Sequence, residues 1–196
     1  MKNILLVGVG GQGILTLSRL IGEAAINAGL DVLISEVHGM AQRGGSVVVH
    51  VKVGDKVYSP LITVSDADWI IALEIMECCR YIHYASNKTK AILNDRLIPP
   101  PVLDKPIPEK EEMLNKLRNI IQRIYVIPAH EIALKLGLPI LTNTVIFGVS
   151  AKLNILDIKE RYYVEALRKV FPEKYFEINF KAYKEGLNFT STLIPT

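Results

Sequence analysis

Only two cysteines occur in the 196 residues, and they are neighbours, Cys78 and Cys79. Adjacent residues on a helix point in different directions, so this pair is poorly placed to bridge or to share a metal. An iron–sulfur cluster needs four thiolates and a zinc site about four ligands, so the chain cannot build either from its own cysteines. Charge of one sign is also scarce. The net charge is +3, with Lys and Arg spread along the chain, and the concentrated basic footprint of a nucleic-acid binder is missing. No apolar run reaches the roughly 18 residues of a membrane span. Met1-Lys2-Asn3 leads straight into strand-like sequence, without the zones of a signal peptide. A soluble cytoplasmic protein with no membrane or nucleic-acid partner is expected. The lack of a serine nucleophile elbow, a P-loop lysine and paired zinc ligands disfavours a self-contained hydrolase or kinase.

What is present is a 49% hydrophobic share, ample for a core at a length that fits one domain. We expect residues 1–196 to form one domain, with C-terminal helices over 159–188 packed on it. The pattern along the chain alternates. Asn3–Val7 reads as a continuous apolar strand. Gly13–Ala28 places Ile14, Leu17, Ile21 and Ala24 or Ala25 at helical spacing, closed by Gly29. Asp31–Glu36 supplies a second strand, parallel to the first through a right-handed crossover. Ser46–Val53 alternates in its second half, and Gly54-Asp55 predicts a tight reversal into Lys56-Val57-Tyr58, a hairpin.

Further strands are predicted at Trp69–Leu73, Lys90–Asn94 and Ile124–Ile127, with helices at Ile75–Ser86 and Glu109–Gln122. Pro99, Pro100, Pro101, Pro106 and Pro108 predict a stiff, extended connector between them. The rest reads as helical: His130–Leu136, Ile140–Leu153, Lys159–Phe171 and Glu173–Leu187. The last of these carries Phe176, Phe180, Tyr183 and Leu187 on one stripe, most simply a core-facing one. The fold class expected is α/β: a Rossmann-like three-layer arrangement with a mixed, mainly parallel sheet, a β-hairpin insertion and extra C-terminal helices.

Two segments carry the functional signal. Gly8, Gly10 and Gly13 fit G-x-G-x-x-G between a strand and a helix, and Glu36 ends the second strand about where a dinucleotide fold keeps its ribose-binding acid. NAD or FAD binding is one reading of this turn; glycines that merely allow tight packing are another. The second segment, His38-Gly39-Met40-Ala41-Gln42-Arg43-Gly44-Gly45, leads into the predicted hairpin instead of the next crossover helix. There the chain leaves the dinucleotide-binding path.

Taken together, Val7-Gly8-Val9-Gly10-Gly11-Gln12-Gly13, His38–Ser46 and Asp55-Lys56-Val57-Tyr58-Ser59-Pro60-Leu61-Ile62 resemble the gamma-type domain of the 2-oxoacid:ferredoxin oxidoreductases. The Met-Ala-Gln-Arg-Gly-Gly version is most similar to the beta subunit of the indolepyruvate branch. Ala72-Leu73-Glu74 with Glu77 and Arg80, and Leu141-Thr142-Asn143-Thr144 with Gly148, extend the likeness to about Leu153. The resemblance implies a beta (non-thiamine) subunit supporting CoA-dependent oxidative decarboxylation of aryl 2-oxoacids such as indolepyruvate, with electrons passed to ferredoxin. It further implies a large alpha subunit that carries thiamine diphosphate, Mg2+ and iron–sulfur clusters. A Gly-Asp-Gly with a downstream Asn, the usual thiamine–magnesium signature, is missing here; Gly54-Asp55-Lys56 is a turn.

Site roles follow as expectations. Arg43 leads, because a planar guanidinium holds a carboxylate or phosphate bidentately; an interface ion pair is the competing role. Gln42 donates to the same anion or caps loop backbone. Gly44 and Gly45 permit close approach of a partner or cofactor. Gly8, Gly10, Gly11, Gln12 and Gly13 offer amides and a helix dipole to an anion such as a CoA phosphate. His38 is a candidate for proton transfer or a hydrogen-bonded loop residue. His50, His83 and His130 lack metal-like spacing and read as structural, and Asn143 reads as a helix cap. Two other functions stay open at this point: a stand-alone NAD- or FAD-binding module, and an assembly protein without a ligand.

Overall fold

The computed structural model describes residues 1–38, 44–99, 107–189 and 192–194, with only the backbone of His38 and of 192–194. Strand β1 (Lys2–Val9) lies in the middle of a seven-stranded sheet, and Ile4 to Val7 are completely buried because helices or loops cover both faces. The other strands are β2 (Asp31–His38), β3 (Ser46–Gly54), β4 (Trp69–Ala72), β5 (Lys90–Asn94), β6 (Arg123–Ile127) and β7 (Thr192–Ile194). Their order is β2-β3-β1-β4-β5-β6-β7. The ladders β1–β4, β4–β5 and β5–β6 are parallel, whereas β3 runs antiparallel to both β1 and β2, and β7 antiparallel to β6. Five strands therefore point one way, and β3 and β7 the other. The mixed, mainly parallel α/β arrangement is the expected one.

The period-two pattern of the strands sorts their residues between two cores. On one face Ile4, Leu6, Val47, Val49, Val51 and Ile71 meet α1 (Ile14–Asn27), α4 (Ala129–Lys135), α5 (Thr142–Lys152), α6 (Glu160–Val170) and α7 (Glu173–Asn188). On the other, Leu5, Val7, Val48, Ile70 and Leu93 meet α2 (Ile75–Arg80), α3 (Lys110–Arg118) and the 57–67 loop. Helix α1 closes as expected: Gly29 has φ +81°, and the Leu30 amide donates to the Ala25 carbonyl at 3.1 Å. Helix α5 is buried from Thr142 to Ser150, wedged between the sheet at β5 and helices α1, α4 and α7. A Cβ on Gly148 would sit 2.1 Å from the Tyr183 carbonyl oxygen, and one on Gly186 2.0 Å from that of Val145. These two glycines let α5 and α7 touch backbone to backbone. The Phe176–Leu187 stripe faces the same core.

Two expectations are corrected. β1 and β2 do point the same way, but β3 lies between them. The hairpin is also placed differently: β2 and β3 form it, and Lys56–Tyr58 is not a strand. Both edges of β3 are already paired, over Lys2–Val9 and Asp31–His38, so no edge is left for the residues after Gly54. The Val57 amide instead donates to Asp31 Oδ2 at 2.9 Å. Smaller differences are a helix ending at Arg80, followed by a 3-10 turn over Ile82–Tyr84, and the edge strand β7, which the helical reading of the C-terminus omitted. Pro100, Pro101 and Pro106 lie outside the described residues. No helix among the described residues is long and apolar enough to cross a membrane.

Candidate functional site

The C-terminal ends of parallel strands are where an open α/β sheet gathers loops and helix N-termini, with the crevice where successive helices leave on opposite faces. Here α1 leaves β1 toward one face and α2 leaves β4 toward the other. That edge brings together the Gly8–Gly13 turn, Leu73-Glu74, Asn94–Arg96, His130, the start of β3 and the start of α5.

Within the glycine turn Gly8, Gly11, Gln12 and Gly13 each have an identifiable reason. Gly8 is packed: a Cβ there would meet Gln12 Oε1 at 2.7 Å and Ile14 Cδ1 at 2.8 Å. Gly13 has φ +80° and no room, because its Cβ would meet Asn143 Nδ2 at 2.4 Å. Gly11, at φ +97°, faces open space, so only backbone conformation demands glycine there. Gln12 is committed to the fold itself: its Oε1 accepts the Val9 amide at 2.7 Å and its Nε2 donates to the Leu73 carbonyl at 3.0 Å. Packing thus explains Gly8 and Gly13, while Gly11 borders free volume.

The two sequence motifs meet through their backbones. The Gly10 amide donates to the Gly45 carbonyl at 2.8 Å, and the Gly44 amide to the Gly10 carbonyl at 3.3 Å, so the β1–β3 ladder continues into both glycine segments. Gly44 has φ +79°. Gln42 and Arg43 lie outside the described residues, as does the side chain of His38. Their neighbour Ser46 is anchored: its hydroxyl donates to Glu77 Oε2 and lies 3.1 Å from the Tyr81 hydroxyl, and Glu77 Oε1 accepts from Arg80 Nε at 3.1 Å.

Buried polar side chains tie the neighbouring strand ends together. Glu74 accepts the Glu77 amide at 2.8 Å, capping α2, and the Ile98 amide at 3.0 Å. Burial raises its carboxyl above the ordinary carboxylate range, against the opposing pull of those two amides. Asn94, fully buried, donates to the Leu73 carbonyl at 3.1 Å and accepts the His130 amide at 3.2 Å. His130 Nδ1 lies 2.9 Å from Arg96 Nη1 and 3.3 Å from Thr142 Oγ1. Burial and the Arg96 charge hold that imidazole below its usual value. Asn143 does not cap α5; its Nδ2 donates to the Gly13 carbonyl at 3.2 Å, binding the helix to the turn.

Two cavities flank the turn. One, of about 390 Å³, is lined by Gly10, Gly11, Gly13, Ile14, Leu15 and Val47. The other, of about 430 Å³, is bounded by Gly10–Gln12, Gly44, Arg96, Ile98, Ile140 and Thr142. Both fall within the range of small-molecule sites. Helix α1 has neither a side-chain N-cap nor an acid in its first turn, and the amides of Gly11 and Gly13 have no acceptor among the described residues. This end of the sheet therefore presents donors and positive potential suited to a carboxylate or phosphate.

The sheet order removes the acid from the dinucleotide reading. With β3 between β1 and β2, exposed Glu36 stands two strand spacings, about 10 Å, to the side of the glycine turn. A ribose-binding acid belongs on the adjacent strand. The cysteines fit a cluster no better. Cys78 is fully buried and burial pushes its thiol far up, away from the thiolate a metal requires.

Arg96, Asn94 and His130 carry no pattern in the sequence that marks them. They converge only because β5 and β6 lie side by side. The sequence likeness over Leu141–Thr144 does point to Thr142 and Asn143, though not to their contacts.

The family model described as "Pyruvate ferredoxin/flavodoxin oxidoreductase" matches residues 3–189. The chain is 43% identical, over 95% of its length and 94% of the relative's, to indolepyruvate oxidoreductase subunit IorB of Archaeoglobus fulgidus. In fold it is similar to pyruvate oxidoreductase subunit PORC from Thermotoga maritima, with a TM-score of 0.75 at 20% identity, over 99% of this chain and 98% of that one. It is likewise similar to a 2-oxoglutarate:ferredoxin oxidoreductase from Magnetococcus marinus, whose structure holds 2-oxoglutarate, coenzyme A and succinyl-CoA. There the TM-score is 0.73 at 21% identity, over 95% of this chain but 30% of the larger one.

Proposed function

Because the chain belongs to the pyruvate ferredoxin/flavodoxin oxidoreductase family, we propose that it is the beta (non-thiamine) subunit of an indolepyruvate or related arylpyruvate:ferredoxin oxidoreductase. The observation that carries this reading is the near full-length 43% identity to a subunit of that name. The joining of both glycine motifs at one sheet edge supports it. The substrate is an aryl 2-oxoacid, the acyl acceptor CoA and the electron acceptor ferredoxin, and the complex works in the cytoplasm. Alone, the chain is inactive, because nothing in its described residues has the donor set for the redox chemistry. Thiamine diphosphate with Mg2+ and iron–sulfur clusters, held by the large alpha subunit, supply the carbon–carbon cleavage and the electron path when bound.

This chain's own part is to shape and close the cleft. Gln12 and Asn94 clamp the ends of β1 and β5 onto Leu73. The Gly10–Gly45 link holds Gly44 and Gly45 against the glycine turn. The free amides of Gly11 and Gly13 and the uncapped end of α1 fit an anionic group such as a CoA phosphate. Arg43 retains its proposed role as a bidentate partner for a carboxylate or phosphate, with Gln42 beside it and His38 a secondary candidate.

The test is anaerobic ferredoxin or dye reduction with indolepyruvate and CoA, using this chain, the cofactor-loaded large subunit, and the two co-expressed. Turnover in the mixture alone is the expected result. Equal turnover by the large subunit without this chain would overturn the reading.

A further inference from the structure

Strand β2 closes the sheet on one side, and no strand among the described residues pairs with its outer side. The direction of its backbone groups follows from the ladders. The Asn3 and Val7 carbonyls accept the Asp68 and Leu73 amides on the β4 side, so the alternate residues Ile4 and Leu6 bond to Val51 and Val49 of β3. Lys52, His50 and Val48 are then left to bond Leu33, Ser35 and Val37. The N–H and C=O groups of Val32, Ile34 and Glu36 therefore point out of the sheet. The Val32 amide is taken by the neighbouring Asp31 Oδ1 at 3.0 Å. Those of Ile34 and Glu36 have no acceptor among the described residues.

Sheets usually blunt such an edge with Lys, Pro, a bulge or a cover. β2 contains no Lys or Pro and pairs residue for residue with β3 from Asp31 to His38. Apolar side chains stand exposed on it, Ile34 at 37% and Val37 at 50%. The loop after β3 extends this surface. It is tied to β2 where the Val57 amide donates to Asp31 Oδ2, and to β3 where the Ile62 amide donates to Nδ1 of His50, the residue paired with Ser35. Between those ties Tyr58 and Leu61 are 88% and 55% exposed. The strand also reads well against itself. In an antiparallel pair about a two-fold axis at Ser35, Leu33 faces Val37 of the second copy and Ser35 faces its own copy, at the closer positions about 4.5 Å apart. Ile34 and Glu36 then exchange backbone bonds with Glu36 and Ile34 of that copy. No two acids stand directly opposite, and the central bonds need nothing from the Val32 amide. A strand from an unrelated partner would not require this self-match.

We propose that the outer side of β2, with Tyr58 and Leu61 beside it, is a docking surface for a second copy of this chain, the two β2 strands pairing antiparallel so that the two sheets run on as one. Backbone bonds of Ile34 and Glu36 fix the register, and Leu33, Val37, Tyr58 and Leu61 supply the apolar area that backbone pairing alone lacks. The surface lies at the side of the sheet, apart from the glycine turn, and the inference does not depend on the proposed function.

Sedimentation of the full chain tests the surface. Wild type should form a dimer of its 21.9 kDa chains, and Val37→Lys should weaken it at least tenfold in Kd with the urea midpoint unchanged. Glu36→Pro, which removes an outward amide and no bond to β3, should do the same. Ser35→Cys, in a Cys79→Ser background, should cross-link two copies through a disulfide on mild oxidation with diamide, since facing non-hydrogen-bonded positions suit that geometry. If Glu36→Pro lowers the urea midpoint, Val37→Lys and the cross-link decide. A wild-type monomer at about 100 μM, a weak limit for a specific contact, would overturn the proposal, as would a dimer whose Kd stays within twofold in Val37→Lys or that gives no Ser35→Cys cross-link. Slowed exchange at the Ile34 and Glu36 amides only when the large subunit is added would give the edge to that subunit, and would overturn the proposal too.

Discussion

Gln12 and Asn94 donate to one and the same acceptor, the Leu73 carbonyl, at 3.0 and 3.1 Å. Residues from the ends of β1 and β5 thus meet on the strand between them, which holds the three chain ends at a fixed spacing under the glycine turn. Gln12→Glu replaces the Nε2 donor with a second carboxylate oxygen facing Leu73. We expect it to cost about 1–3 kcal/mol, the penalty for an unsatisfied buried polar group, seen as a lower urea midpoint. Gln12→Met, which removes both polar atoms of the pair to the backbone, should cost no more than that.

Gly148 and Gly186 make the α5–α7 contact. Alanine is favoured over glycine in a helix by up to about 1 kcal/mol, so propensity alone predicts that Gly148→Ala and Gly186→Ala stabilise. Here the added methyl meets backbone atoms at 2.1 and 2.0 Å, and backbone cannot rotate away. Overpacking of this kind costs about 1–3 kcal/mol or more. Both variants should therefore lower Tm. A rise in Tm for either would refute the packing described here.

His50, buried in β3, accepts the Ile62 amide at Nδ1 over 3.2 Å. Burial lowers its pKa below the usual 6.5. The fold favours the neutral ring, so this stability is fully present above the unfolded value and is lost as pH falls below about 6.5. His130 is shifted the same way and adds to the loss, while Glu74, shifted up, opposes it. Both of those remain in a His50→Asn protein, whose side-chain oxygen can still accept from Ile62. Urea unfolding at pH 7.5 and pH 5.5 should show a smaller loss of stability on acidification for His50→Asn than for wild type.

These features divide sharply in how far they can be read from residues alone. The long apolar run of β1, the helical spacing from Ile14 to Gly29 and the Phe176–Leu187 stripe are local patterns, and each forms as its pattern requires. The alternation in Ser46–Val53 says that a strand is there without saying which neighbours it takes. Gly54-Asp55 therefore looked like the hairpin turn, although β3 had already found both partners at β1 and β2. Strand β7, only three residues long, is too short to leave a period. At the site, the glycine turn and the Gly44-Gly45 segment are visible as motifs, and their backbone pairing explains why they occur together. Arg96, Asn94 and His130 are separated by up to 36 residues and meet through strand order; no spacing in the chain announces them. Asn143 has a residue type suited to a helix cap, but its place against Gly13 gives it a different partner.

The central claim is that the edge of the sheet carrying both glycine segments is the face this chain presents to the large subunit's active site. Amide hydrogen exchange of the chain, free and in complex with the cofactor-loaded large subunit, tests it most directly. The account predicts slowed exchange over residues 8–13, 44–46 and 94–98, with the opposite edge, at Gly29-Leu30, Gly54-Asp55 and Ser86–Thr89, unchanged. Slowing at that opposite edge, with no change at Gly11 and Gly13, would contradict it.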